Sequence, residues 1–204
     1  MKKAGVALLA VAGVLMFGCG KTQYANVDMP PKRVKVIKDF GEDASKMLLK
    51  ELKKELKTAL KTKGPVGAIE VCSRKAQAIT QEVAEEIGDI QIKRTSFKYR
   101  NPNNKPDEYE AQALKFFEET LKKTGKLPPY YIQKVDGEYR YYKPLKVQPV
   151  CLTCHGDPKH MDPKVVEKLK ELYPEDKATG YKVGDFRGVI RVSIPEDVIK
   201  KSCL

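Results

Sequence analysis

An α+β domain, with helices packed around an antiparallel sheet, is the fold class that three features of this 204-residue sequence predict. Apolar residues recur at three- and four-residue steps over two stretches between 49 and 87. The pair Asp136-Gly137 separates two β-prone runs, and "FRGVIRVSIP" near the end reads as a strand. A hydrophobic content of 41% is enough for a core, while 32% charged residues exclude a protein that crosses a membrane many times.

The first residues read as a targeting signal. "MKK" is a basic start, and the fifteen residues "AGVALLAVAGVLMFG" form an apolar segment, shorter than the ~20 residues a membrane span needs. The segment closes on Gly18-Cys19, a small residue followed by cysteine. This resembles the lipobox of bacterial lipoproteins, with Met16 and Phe17 as imperfect members. Residues 1–18 are therefore expected to be a signal peptide, Cys19 a lipidated residue on the exported side of the membrane, and 20–34, with Pro30-Pro31, a tether. The domain is expected over 35–204.

Leu49, Leu52, Leu56 and Leu60 mark the first helix, which Gly64-Pro65 ends. Pro65 suits the first position of a second helix, whose Ile69, Cys72, Ala76, Ile79, Val83 and Ile87 share a face; Gly88-Asp89 stops it. Residues 90–96 alternate as a strand, and 97–106 is a loop rich in Asn and Pro. A third helix is predicted from Asp107 to Lys123, with Leu114, Phe117 and Leu121 inward and Gly125 past its end. Next come the Asp136-Gly137 hairpin, a short helix near 163–173 and the last strand.

The formal charge is +12; losing Lys2 and Lys3 with a signal peptide leaves 37 basic against 27 acidic residues, a net +10. Lysines interleave with glutamates in "KELKKELKTALKTK", the pattern of a solvated helix face. No nucleic-acid motif accompanies the charge, so no nucleic-acid partner is expected.

The chemistry concentrates in "CLTCHG", residues 151–156. Cys151, Cys154 and His155 match the C-x-x-C-H pattern of covalent haem attachment. Two thiols at this spacing add across the two vinyl groups of one porphyrin edge, and the adjacent histidine is delivered to the iron. One such motif implies one haem c. A zinc site using Cys151, Cys154, His155 and His160 would place two ligands side by side, whereas finger-type sites separate their ligand pairs. A redox dithiol is expected at the start of a helix, not before Gly156-Asp157-Pro158, and a plain disulfide is the remaining alternative. For the second iron ligand the residues leave Cys72, Met29, Met47, Met161 and His160 open. His160 and Met161 follow His155 too closely to reach the far face of a porphyrin easily.

"AIEVCSRKAQAIT" (68–80), "RTSFKYRNPNNKPDEYE" (94–110), "LPPYY" (127–131) and "CLTCHGDP" (151–158) together resemble the single-haem c-type cytochrome family with a PAS-like fold. The likeness covers about residues 38–195, with Tyr109 where an aromatic, often Trp, is the family habit. Related domains serve as extracytoplasmic sensor parts of bacterial signalling proteins. The resemblance implies a PAS-like α+β domain with haem on Cys151 and Cys154, His155 as one axial ligand and Cys72 as the other. It also places Arg94, Lys98 and Arg100 in the loop beside the haem, as neighbours of its anionic propionates. On this reading Cys203 is left without a role.

A haem-based redox or small-molecule sensor is thus the first expectation, with an unidentified redox or signalling protein as partner and a lipid anchor to the membrane. An electron-transfer cytochrome, steered by its positive charge to an acidic partner, is the second. A haem enzyme such as a peroxidase needs an open iron site, which two protein ligands disfavour, so no enzyme activity is expected.

Overall fold

A computed structural model describes residues 24–202. The expected signal peptide, Cys19 and Cys203 lie outside the described residues. Helix α1 (Pro31–Ile87) is broken once, at Gly64, whose φ of 67° and ψ of −176° lie where only glycine is comfortable. Pro65 opens the second arm, as the sequence predicts. The two arms fold back on each other, and Lys75 reaches Glu55 across them at 2.9 Å.

The expected tether differs from what is found. Tyr24–Asn26 lies along a strand edge, where Ala25 forms a parallel bridge with Ile132. Asn26 N donates to Ile132 O at 3.1 Å, and Ile132 N donates to Tyr24 O at 2.9 Å. Met29 is buried in the core, and Pro31 begins the helix instead of interrupting a linker. A proline at the first helical position lacks only an N–H that would have had no partner anyway. Val34, Ile37, Gly41, Ala44 and Leu48 then form a buried stripe at three- and four-residue steps.

Four antiparallel strands form the sheet in the order β1-β4-β3-β2: β1 (Gln91–Thr95), β2 (Tyr131–Val135), β3 (Glu138–Lys146) and β4 (Phe186–Pro195). Asp136 (φ 46°) and Gly137 (φ 82°) make the two-residue turn between β2 and β3, both with the positive φ that a type I′ hairpin demands. Alternation sorts the side chains. Tyr139, Tyr141, Ile190, Val192 and Ile194 pack under α1 together with Ile199 of α5 (Glu196–Ser202). Tyr142 and Val189 face α2 (Glu108–Thr124) through Ala113, Leu114 and Phe117. Helices thus flank an antiparallel sheet, α+β as expected and consistent with a PAS-like fold.

Local signals account for α2. Asp107 accepts from Glu110 N at 2.6 Å, and the Glu110 carboxylate accepts from Asp107 N at 2.8 Å, a complete capping box. Gly125 closes the helix at φ 69°. Leu121, expected inward, is only half-buried. The short helix α3 (Leu152–His155) holds the cysteine motif, and α4 (Pro163–Leu172) packs Val165 and Leu169 against Ile69 of α1. No helix among the described residues is long and apolar enough to cross a membrane.

Candidate functional site

A cavity of about 330 Å³ opens between the two arms of α1, the end of the sheet and α3. Leu52, Leu56 and Leu60 of the first arm and Ile69, Cys72 and Ala76 of the second wall one side. Each arm therefore uses one apolar stripe for two purposes. Leu49, Ile79, Val83 and Ile87 pack on the sheet, while the residues nearer Gly64 face the cavity. Arg94, Thr95 and Arg187 from the sheet, and Cys151, Cys154 and His155, complete the lining. Two thirds of the chain separates some of these residues, and only the fold brings them to one wall.

The cysteine motif is anchored from both sides. Cys154 packs with Ile69, Met161, Val165 and Leu169, whereas Cys151 and Leu152 pack with Val147, Ala178 and Tyr181. The loop after α4 then returns to grip the end of α3: Tyr181 N donates to His155 O at 2.9 Å and Gly180 N to Gly156 O at 2.7 Å. His155 Nδ1 lies 2.7 Å from Ala178 O. A carbonyl can only accept, so that contact puts the ring proton on Nδ1 and leaves the Nε2 lone pair free for a metal. Burial lowers the His155 pKa to about 3, with Arg100 and Arg187 adding repulsion, so the ring is the neutral form that coordination requires. All three described cysteines are free thiols. Burial pushes the Cys72 thiol up, Arg94 opposing it, and burial likewise raises Cys154.

The other candidates for a second ligand fall away from this cavity. Met29 is buried in the main core and Met47 packs against that core. Met161 is enclosed beneath α4. His160 is exposed and lies 3.5 Å from Asp157. Its side chain is 84% exposed, which removes it from any shared site with Cys151, Cys154 and His155, and no group of three metal-ligating side chains converges among the described residues. Cys72 is the sulfur that faces the cavity from the side of α1.

Of the three cations expected around the site, Arg94 and Arg100 line the cavity and Lys98 does not. The Lys98 ammonium donates to Thr179 O and sits 4.3 Å from the centre of the Tyr181 ring. The Arg100 guanidinium is held by Asp176 at 2.9 Å and donates to Cys154 O. It therefore ties the loop after α4 to the cysteine motif. Arg94 donates to Ala76 O at 3.4 Å, and its buried Nε has no hydrogen-bond partner. Arg187, which the sequence did not single out, stands on the same wall, donates to Lys98 O at 3.0 Å and lies 5.2 Å from the Tyr181 ring. Its place depends on Gly188, at φ 140°, where a Cβ would come within 2.4 Å of Thr95 O. The strands β1 and β4 can close here only because that side chain is missing.

The profile of the Tll0287-like family matches residues 24–195. The chain is also similar to a cyanobacterial haem-protein, Tll0287, in its crystal structure: 28% of residues are identical, 82% of this chain and 98% of that chain are covered, and the TM-score is 0.55. No curated protein sequence matches the chain. The match spans both arms of α1, the whole sheet and the cysteine motif, so by sequence and by architecture the chain belongs to the Tll0287-like family.

Proposed function

We propose that this chain is an exported haem c protein, a redox or small-molecule sensor, with Cys151 and Cys154 in thioether linkage and His155 Nε2 and Cys72 Sγ as axial iron ligands. One observation carries the reading: Cys72, Cys151, Cys154 and His155 line a single cavity, with His155 Nδ1 tied to Ala178 O. The donor set suits the group, offering two thiols for attachment, a neutral imidazole, a third thiol and cationic side chains for a dianionic edge. The similarity to a protein described as a haem-protein supports it independently. When bound, the haem supplies a one-electron ferric/ferrous couple.

The residues divide the remaining work. Ala178 O fixes the tautomer and orientation of His155, and Arg100 holds the carbonyl of Cys154. Leu52, Leu56, Leu60, Ile69 and Val189 give the cavity an apolar lining suited to a porphyrin face. Cys72 presents its sulfur from the arm that begins at Gly64, so a change in its bonding acts on a helix with a joint at one end. Two protein ligands, His155 and Cys72, would leave no open position on a bound iron, which favours binding and signalling over catalysis.

A second reading, electron transfer to an acidic protein, is favoured by one feature. Lys50, Lys53, Lys57, Lys61 and Lys63 are exposed on the arm whose leucines line the cavity, and none forms an ion pair among the described residues. Absorbance of the ferric, ferrous and ferrous-CO forms separates the two. A carrier keeps both ligands throughout, whereas a sensor loses one on reduction or accepts the gas.

The attachment itself is tested by intact mass after expression with haem-maturation machinery. The unaltered chain is expected at polypeptide plus one haem under denaturing conditions. Cys151→Ala or Cys154→Ala should retain haem by one thioether at most, and the double variant by none. An unaltered chain at the bare polypeptide mass would sink the proposal. Export and anchoring rest on residues 1–19: Cys19→Ala is expected to shift the protein from detergent-extracted membranes to the soluble periplasmic fraction. Unchanged partitioning would point to another attachment.

A further inference from the structure

Three arginines packed against the sheet or the cysteine motif are matched with carboxylates. Arg140 meets Asp107 at 2.8 Å and Glu138 at 2.6 Å, and Arg100 meets Asp176 at 2.9 Å. Arg191 lies 3.4 Å from the fully buried Glu110. Arg94 and Arg187 are the exceptions on the cavity wall. Neither forms an ion pair among the described residues, although burial lowers the pKa of both, and Arg187 adds repulsion at Arg94. A desolvated guanidinium with a partnerless Nε, as at Arg94, is costly unless an anion completes it, and a second unpaired cation on the same cavity raises that cost.

We propose that Arg94 and Arg187 together form the subsite for the two propionate carboxylates of the cofactor. The inference rests on the haem reading above and moves the propionate role away from Lys98 and Arg100. Planar guanidinium forks suit carboxylates in a way an ammonium does not, and both arginines line the same cavity as the cysteines. Porphyrin chemistry calls for cations as well as thiols around such a cavity, because the propionates occupy the edge opposite the vinyl groups that the cysteines take. Gly188 has a purpose in this arrangement: it lets β4 approach β1 so that the two cations share one anionic edge.

The test uses the full-length holoprotein. Arg94→Met and Arg187→Met, singly and together, are expected to keep covalent haem by mass while shifting the propionate bending band in the resonance Raman spectrum. Losing a cation beside the haem disfavours the ferrous form, so the double variant should shift the redox equilibrium up to tenfold, about 60 mV lower for a one-electron couple. Arg→Lys at each position should restore much of the potential but not the band, since charge returns without the fork. Lys98→Met should move neither. If the double variant does not fold, the two Arg→Lys variants still read the band. Unchanged bands in the arginine variants would overturn the proposal. So would stabilisation of unaltered holoprotein by succinate that disappears in these variants, because the subsite would then take a free dicarboxylate. Failure of the haem reading itself would look different: no haem mass and no haem bands in any variant.

Discussion

Cys72→Ala is expected to retain covalent haem yet lose the low-spin ferric thiolate signature in electron paramagnetic resonance, with a higher reduction potential. The thiol sits half-buried on the cavity wall, where burial disfavours its ionised form and Arg94 favours it. Ferric iron supplies the further positive charge that makes a buried thiolate tenable. A thiolate in return favours the ferric state, whereas its loss removes that preference. Axial ligation spans roughly 0.8 V in haem proteins, so a rise on the order of 0.1 V is a modest expectation. With haem held as proposed, reduction would weaken that compensation in the unaltered protein too, and Cys72 would take up a proton and release the iron. Identical spectra for Cys72→Ala and the unaltered protein would make Cys72 a wall residue and remove the link between iron and helix. The alanine leaves the helix intact, since it has the highest helix propensity.

Gly41→Ala is expected to destabilise the whole domain, although in most helices that change stabilises. A Cβ at Gly41 would lie 2.1 Å from Tyr141 Cγ, a ring that is fully buried between α1 and β3. The ring cannot swing aside cheaply, because its hydroxyl donates to Glu42 at 2.7 Å, and Lys143 also holds Glu42 at 2.7 Å. Overpacking of this kind costs up to ~3 kcal/mol, against ~1 kcal/mol returned by helix propensity. The balance, ~2 kcal/mol, should lower Tm by roughly 4–8 °C for a domain of this size. A Gly41→Ala variant that melts together with the unaltered protein would contradict the packing argument.

The parts of this structure that local chemistry controls were legible in the sequence. Gly64-Pro65, Asp107 with Glu110, Gly125 and Asp136-Gly137 each act within a few residues, and each does what its residue types demand. The cysteine motif was legible for the same reason. Less legible was the start of α1, because Pro30-Pro31 suggests a linker and because Gly41 and Ala44 thin the apolar stripe that would have marked a helix. Arg187 could not be recognised locally, since its meaning depends on β4 pairing with β1 and on the missing side chain of Gly188. The pairing of Arg100 was equally hidden: it lines the cavity, but Asp176, which also holds it, comes from a loop seventy-six positions away.

The segment before α1 has a further consequence for how molecules of this protein meet one another. β2 is an outer strand, and Tyr24–Asn26 lies on its free side; the Asn26 side chain also accepts from Lys134 N at 3.0 Å. The amides of Ile132 and Lys134 are thereby taken. At the opposite margin Thr95 Oγ1 donates to Asn104 O at 3.0 Å, drawing the turn at Pro102–Asn104 against β1. Open strand margins are templates for edge-to-edge aggregation, and here one is sealed by the chain itself while a turn crowds the other. A chain trimmed to begin at residue 35, on the view that everything earlier is a leash, would strip that seal. It would leave the row Ile132–Lys134 ready to recruit a strand from a neighbour.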